Sequence, residues 1–195
     1  MTSLAKAGIA LIVVAAVLAN ESGAQVRGVA GVGLSVPVGE FADENGIGAQ
    51  SGGATALAGV EWLPQGRSFG LRVDGAYNRF CTAACDEAGG DLDIRFRFLN
   101  ANLSGIAELP LAATPELRPY VLGGVGVYNY KLQGDDVPAG FDESETDFGL
   151  NGGLGLTYML GRVGLFAEGR FHHVFTSEED IQFIPIVLGA RLTLR

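Results

Sequence analysis

The sequence predicts an all-β fold: an eight-stranded antiparallel up-and-down transmembrane β-barrel with short periplasmic turns and long extracellular loops. Three observations predict it. Eight segments alternate apolar and polar residues with period two. The connections between them alternate long, short, long, short, which puts every long loop at one end. Hydrophobic residues make up 48% of the 195-residue chain, yet only Ala7 to Ala19 is continuously apolar.

That run of about 13 residues is too short for a helix to cross a bilayer, which needs about 20. It follows Lys6, and Ser22-Gly23-Ala24 supplies the small residues a signal peptidase reads. Cleavage after Ala24 starts the mature chain at Gln25, and Val17-Leu18-Ala19 offers an earlier site. A retained N-terminal anchor is the alternative, but the length and flanks of the apolar run suit a leader. Residues 1–24 are therefore expected to be a signal peptide and residues 25–195 one barrel domain. Thirty glycines, scattered through the strand-like segments, argue against helices, where each costs about 1 kcal/mol. In a narrow barrel they let strands bend and approach closely.

The first strand is expected near Val26 to Val38, a segment rich in valine and small residues. After a long loop, Gly39 to Gly53, the second strand spans Ala54 to Leu63; its weak polar alternation leaves its phase, and that of the first strand, open. Pro64 to Ser68 has turn chemistry and leads into a third strand, Phe69 to Phe80. The fourth, Leu92 to Ala107, follows a loop containing both cysteines. Glu108 to Arg118, with Pro110 and Pro115, forms a second connection on the side of the first turn. The fifth strand, Tyr120 to Leu132, precedes the longest loop, Gln133 to Thr146. The sixth strand covers Phe148 to Leu160, Gly161-Arg162 is a two-residue hairpin turn, the seventh covers Val163 to Phe175, and the eighth covers Pro185 to Leu194.

Period two sorts each strand into faces. In the sixth, Phe148, Leu150, Leu154, Leu156, Tyr158 and Leu160 oppose Asn151, Gly153, Gly155 and Thr157. Val163, Leu165, Ala167 and Phe171 oppose Glu168, Arg170 and His172 in the seventh. Ile186, Leu188, Ala190, Leu192 and Leu194 oppose Gly189, Arg191 and Thr193 in the eighth. In the third, Leu71, Val73 and Tyr77 oppose Arg72, Asp74 and Asn78. The fourth strand changes phase: Ile94, Phe96 and Phe98 alternate with Arg95 and Arg97, and then Leu99, Ala101 and Leu103 alternate with Asn100 and Asn102. A β-bulge near Phe98 is expected to restore the register.

Periodicity alone does not say which face is inside, and a soluble lipocalin-like ligand carrier would put the apolar face in the lumen. Cost decides between them. Each Arg facing hydrocarbon near the midplane costs about 2–4 kcal/mol, whereas an eight-stranded barrel encloses just enough room for side chains. The polar set is therefore expected inside, with Arg27, Glu61, Arg72, Asp74, Arg95, Glu168, Arg170 and Arg191 filling the lumen and leaving no continuous water path.

Charge is unevenly placed. Removing Glu21 and Lys6 with the leader takes 22 acidic and 13 basic residues to 21 and 12. Fifteen of the acids lie in the long loops with no Lys or Arg among them. The longest loop holds Asp135, Asp136, Asp142, Glu143 and Glu145. Such a rim can hold divalent cations that bridge lipopolysaccharide phosphates, or simply keep the loops solvated and extended. The latter is favoured, because the acids lack the regular spacing of an EF-hand loop. A strongly acidic rim excludes nucleic acid as a partner. Neither a metal site nor a cofactor is expected.

Cys81 and Cys85, in Cys-Thr-Ala-Ala-Cys, lack the four-ligand set of a structural zinc site. In an exported protein a small disulfide loop is the expected state, with two free thiols the alternative.

Three segments carry a family resemblance: Arg118-Pro-Tyr-Val-Leu-Gly-Gly-Val-Gly, Glu168-Gly-Arg-Phe-His-His-Val-Phe-Thr and Phe183-Ile-Pro-Ile-Val-Leu-Gly-Ala-Arg-Leu. In this order they resemble the small outer-membrane β-barrel proteins of OmpA-like and OmpX-like kind, over essentially all of the mature chain. The resemblance implies an outer-membrane location with periplasmic termini, and contact with outer-membrane lipid and lipopolysaccharide. It also implies insertion by the barrel-assembly machinery and a monomeric barrel. Its terminal signal is altered here, because Leu192-Thr-Leu194-Arg195 has no final aromatic residue.

Function is expected to be structural or interactional, with a surface partner meeting the acidic loops. A lipid A-modifying enzyme of the deacylase type is the alternative. That chemistry needs a Ser activated by a His that a carboxylate orients. The deacylase pattern places Ser two residues after His on one strand face; here Val174 follows His172 and Phe175 follows His173 at that spacing, and Ser177 is out of register. An enzyme is therefore not expected. His172 and His173 are read as interior hydrogen-bonding or aromatic-girdle residues.

Overall fold

The computed structural model describes residues 25–42, 51–81, 95–133, 144–177 and 180–194. Eight strands, β1 (Gln25–Val38), β2 (Ser51–Leu63), β3 (Phe69–Cys81), β4 (Arg95–Glu108), β5 (Leu117–Gln133), β6 (Glu145–Leu160), β7 (Val163–Val174) and β8 (Ile181–Thr193), pair in sequence order. Every pair is antiparallel, and β8 returns to β1 from Arg27↔Thr193 to Val38↔Gln182. The ring is closed, so neither sheet edge is left unpaired.

The short connections follow from local chemistry. At the Pro64–Ser68 turn, Gly66 has φ +72° and Arg67 N donates to Pro64 O at 3.0 Å. Between β6 and β7 the two-residue turn has Gly161 at φ +66°, the first central position of a type II′ hairpin, which glycine fills at no steric cost.

The faces divide as the charge argument requires. Leu154 and Leu188, 69% and 65% exposed, stand in an outward belt with Leu34, Leu103, Leu150, Leu165 and Ile186. Arg72 and Asp74 of β3, Glu168 and Arg170 of β7 and Arg191 of β8 are buried inside it. A continuous apolar exterior far exceeds the few hundred Å² that a soluble monomer exposes. The inverted, lipocalin-like arrangement is excluded by this distribution.

The phase of β4 corrects the sequence reading. No bulge occurs near Phe98: the ladder to β3 runs unbroken through Asn78↔Phe98, Tyr77↔Leu99 and Ala76↔Asn100, and the ladder to β5 is equally regular. Phe96 and Phe98 point inward with Asn100 and Asn102, and Arg97 lies on the other face. The expectation failed because the lumen was taken as polar along its whole length. Its mouth at the long-loop end is aromatic, so an inward Phe next to an outward Arg keeps one phase throughout. An irregularity occurs instead in the β2–β3 ladder, between Ser51 and Ala54.

The aromatic mouth is a packed cluster. A 3-10 turn, Gly39–Ala42, follows β1 and sets Phe41 edge-on against Phe80, Phe96 and Phe98 at centroid distances of 5.5, 5.6 and 5.8 Å. Phe183 and Tyr128 complete it with Val174 and Ile181. Edge-to-face pairs at these distances are each worth about 0.5–1.5 kcal/mol beyond burial.

Among the described residues, four other strand starts moved by three or four residues: β2 begins at Ser51 instead of Ala54 and β6 at Glu145 instead of Phe148. β8 begins at Ile181, four residues before Pro185, because the proline sits inside the strand; the β7–β8 pairing skips from Gly169↔Ile186 to His172↔Phe183 around it. β5 begins at Leu117, with Pro119 on the β6 side of its ladder.

Candidate functional site

The inward residues of β3, read from the short-turn end, are Arg72, Asp74, Ala76, Asn78 and Phe80. On β4, read toward the same turns, they are Phe98, Asn100, Asn102, Ser104, Ile106 and Glu108. Both strands thus run from aromatic through amide to charged side chains toward the short turns, with Phe80 opposite Phe96, Asn78 opposite Phe98 and Asp74 opposite Asn102.

The amide layer is a chain of hydrogen bonds. Ser35 Oγ donates to Asn78 Oδ1 at 2.8 Å, and Asn78 Nδ2 donates to Asn100 Oδ1 at 3.0 Å. Ser104 Oγ donates to Asn151 Oδ1 at 3.0 Å. The Tyr128 hydroxyl lies 2.7 Å from His172 Nδ1, and the His172 ring stacks on Phe183 at 4.8 Å with the planes 1° apart.

The charged layer ties opposite walls together. Asp74 accepts hydrogen bonds from Arg170 Nη1 on both oxygens, at 3.0 and 3.1 Å, and from the Asn102 amide at 2.9 Å, and it forms an ion pair with Arg72 Nε at 3.0 Å that is not aligned for a hydrogen bond. Glu168 accepts from Arg72 Nη1 at 2.7 Å, from Arg170 Nη2 at 2.8 Å and from the Tyr120 hydroxyl at 2.7 Å. Arg191 is held differently: its guanidinium lies 4.0 Å over the Tyr120 ring and 5.2 Å from the Phe166 ring. Its Nη2 comes within 3.2 Å of Glu61 Oε1, but neither group is aligned for a hydrogen bond. Coulombic attraction and the two ring faces carry that contact. Nearest the short turns, Arg27 pairs with Glu108 and also donates to Gln25 Oε1 at 2.6 Å.

Seven of the eight lumen residues named from sequence are thus brought together: Arg27, Glu61, Arg72, Asp74, Glu168, Arg170 and Arg191. The side chain of Arg95 lies outside the described residues. Glu108 was missed, having been assigned to the turn; the signal was present in the period-two run Asn100, Asn102, Ser104, Ile106, Glu108. With it, four arginines meet four carboxylates, all buried. The neutral balance is what a low-dielectric lumen demands of ionised groups.

This packing leaves little space. A cavity of about 10 Å³ lies between Thr55, Asp74, Asn102, Arg170, His172 and Val187, room for about one water.

The remaining expected sites fall elsewhere. Asp135, Asp136, Asp142 and Glu143 lie outside the described residues, as do Ala24, Cys85 and the side chain of Cys81. Gln25 opens β1. Glu145 opens β6 at the rim, where its carboxylate accepts from the Tyr130 hydroxyl at 2.9 Å while Asp147 accepts from it at 2.7 Å. His173 faces outward and sits 3.0 Å from Asp180, with Phe175 against its ring at 4.7 Å. Among the described residues, no group of three or more His, Cys, Asp or Glu is placed to hold a metal ion, and Ser177 makes no hydrogen bond to either histidine.

A family model described as outer membrane protein beta-barrel domain matches residues 7–190. No curated protein matches the sequence. Solved structures resemble it in fold. Neisserial surface protein A superposes with a TM-score of 0.58 at 17% identity, covering 89% of this chain and 98% of that one. A major outer membrane protein from Thermus thermophilus gives 0.59 at 15% identity, covering 87% and 98%. Ail, the attachment invasion locus protein of Yersinia pestis, in complex with the heparin analogue sucrose octasulfate, gives 0.52 at 16% identity, covering 87% and 97%.

Proposed function

The chain belongs to the outer membrane protein beta-barrel domain family, and from that premise we propose that it is a non-conducting barrel of the bacterial outer membrane whose lumen is structural and whose long loops meet a surface partner. The observation that supports this most is the filled lumen, in which four buried arginines paired with four carboxylates and an aromatic mouth occupy the space a pore would need. Among the described residues, each buried inward Arg, Asp and Glu has an oppositely charged wall residue within ion-pair distance.

The long, acidic loops stand outside the cell and the short turns and both termini stand in the periplasm, as the loop lengths suggest. Lipid and lipopolysaccharide surround the barrel, the insertion machinery places it, and it works as a monomer. A bond between Cys81 and Cys85 closes a small ring within the second long loop. Carboxylates at the rim keep the loops extended toward a partner. The proposed role has no catalytic step.

Planar-bilayer recording of the purified barrel tests the reading: a silent membrane is expected at protein amounts where an open porin conducts, and steady single-channel steps would contradict it.

A further inference from the structure

Among the described residues, the Arg and Lys side chains on the outward face of the strands gather at one place. Arg79 on β3 is the direct cross-strand partner of Arg97 on β4, and Arg97 is the partner of Lys131 on β5. All three alternate with inward residues, Phe80, Phe98 and Tyr130, and stand at the long-loop margin of the apolar belt. Arg79 is exposed, and Arg97 and Lys131 are half-buried. Neighbouring strands lie about 4.8 Å apart, so the three cations share one rung within about 10 Å.

Such a row is costly as it stands, because like charges directly opposite one another destabilise a sheet. Nothing on the wall relieves it. Among the described residues none of the three makes an ion pair or a hydrogen bond, and no Asp or Glu occupies an outward strand position. Glu61, Asp74, Glu108 and Glu168 point into the lumen, and Glu145 and Asp147 share the inward register of Asn151. Among the described residues, the strand acids that could neutralise the row are all turned away from it.

We infer that Arg79, Arg97 and Lys131 form a binding site for the phosphate of a membrane lipid headgroup. Arg guanidinium forks match phosphate oxygens in pairs, and Lys adds a point charge. On the rung below, Tyr77 and Leu99 lie beside Asn129, and beyond them Val127 and Phe148 continue the outward apolar surface. Acyl chains fit that surface while the headgroup meets the cations, whose aliphatic stems lie along the same wall. The acids of the loops above repel an anion arriving from solution, so approach from within the membrane is favoured over capture of free phosphate. This inference rests on the membrane-barrel reading and adds a lipid ligand with a defined position on it.

The test uses the full protein purified from membranes and placed in phosphatidylcholine nanodiscs containing either phosphorylated lipid A or its dephosphorylated counterpart, with retained lipid counted by native mass spectrometry. The wild type should retain the phosphorylated form preferentially. An Arg79→Gln/Arg97→Gln/Lys131→Gln variant should retain about tenfold less or lower, the scale set by loss of one charge-assisted hydrogen bond. Arg67→Gln/Arg162→Gln, which removes cations from the short-turn end, should change nothing. A heat-dependent gel shift shows that each variant is folded. Equal retention of the two lipids, full retention by the triple variant, or displacement by inorganic phosphate or a sulfated saccharide in solution would overturn the inference while leaving the barrel intact. A wild type that neither enters nanodiscs nor shows a gel shift would overturn the barrel reading itself, and this site with it.

Discussion

Arg170 donates to both carboxylate oxygens of Asp74, at 3.0 and 3.1 Å, and these residues stand on β7 and β3, four strands apart in a ring of eight. The same two strands are joined in the opposite sense by Arg72 and Glu168 at 2.7 Å. Each strand therefore contributes one cation and one anion two residues apart, and opposite walls of the ring are cross-linked. Removing one member leaves a buried charge unpaired. Arg170→Ala is expected to cost about 3–5 kcal/mol, read as a lowered midpoint of urea unfolding in lipid vesicles. A double-mutant cycle with Asp74→Ala should give a coupling of at least about 1 kcal/mol; additive losses would show that the two groups do not interact.

The inward phase of β4 has its own test. Bimane attached at a cysteine replacing Leu99 should be quenched by nitroxide-bearing lipids, and bimane at a cysteine replacing Tyr77 should be quenched similarly. Phe98→Cys should resist labelling in the folded barrel. Strong lipid quenching at position 98 would restore the discarded bulge.

Tyr120 and Gly155 are direct partners in the β5–β6 ladder, and the phenol lies over the glycine. A Cβ at position 155 would collide with the Tyr120 ring, which cannot withdraw without releasing Glu168 and uncovering Arg191. Gly155→Val should therefore destabilise by about 1–3 kcal/mol or more. Adding Tyr120→Ala should recover less than the clash costs, because Arg191 then loses its ring.

Much of this architecture was readable because charge and hydrophobicity alternate cleanly where both are present. Glu168, Arg170 and His172 against Leu165, Ala167 and Phe171 admit one phase only. β1 and β2 were harder, since Ala54 to Val60 offers small residues on both faces and glycine carries no polarity; only the closed pairing showed Thr55 and Leu57 to be inward on the face of Glu61. Phe96 and Phe98 misled for a different reason. Hydrophobicity marks burial, and a barrel with an aromatic mouth buries apolar residues inside as well as presenting them outside. Which Arg meets which carboxylate was not legible at all. The pairing of Arg72 with Glu168 depends on two strands distant in sequence facing each other at matching heights, a property of the closed ring.

Orientation gives a further prediction. An epitope inserted after Ala139, in the longest loop, should be stained on intact cells, and one inserted after Ala113, between β4 and β5, only after the outer membrane is permeabilised. The reverse pattern would place the acidic rim in the periplasm.

The central claim is a closed barrel with a polar, cross-linked inside and a lipid-facing outside. Fractionating expressing cells and running the membrane protein unheated and boiled on a denaturing gel tests it most directly. Enrichment in the outer membrane, with a folded band that changes mobility on boiling, is the expected result. A soluble periplasmic protein whose mobility is the same before and after boiling would contradict it.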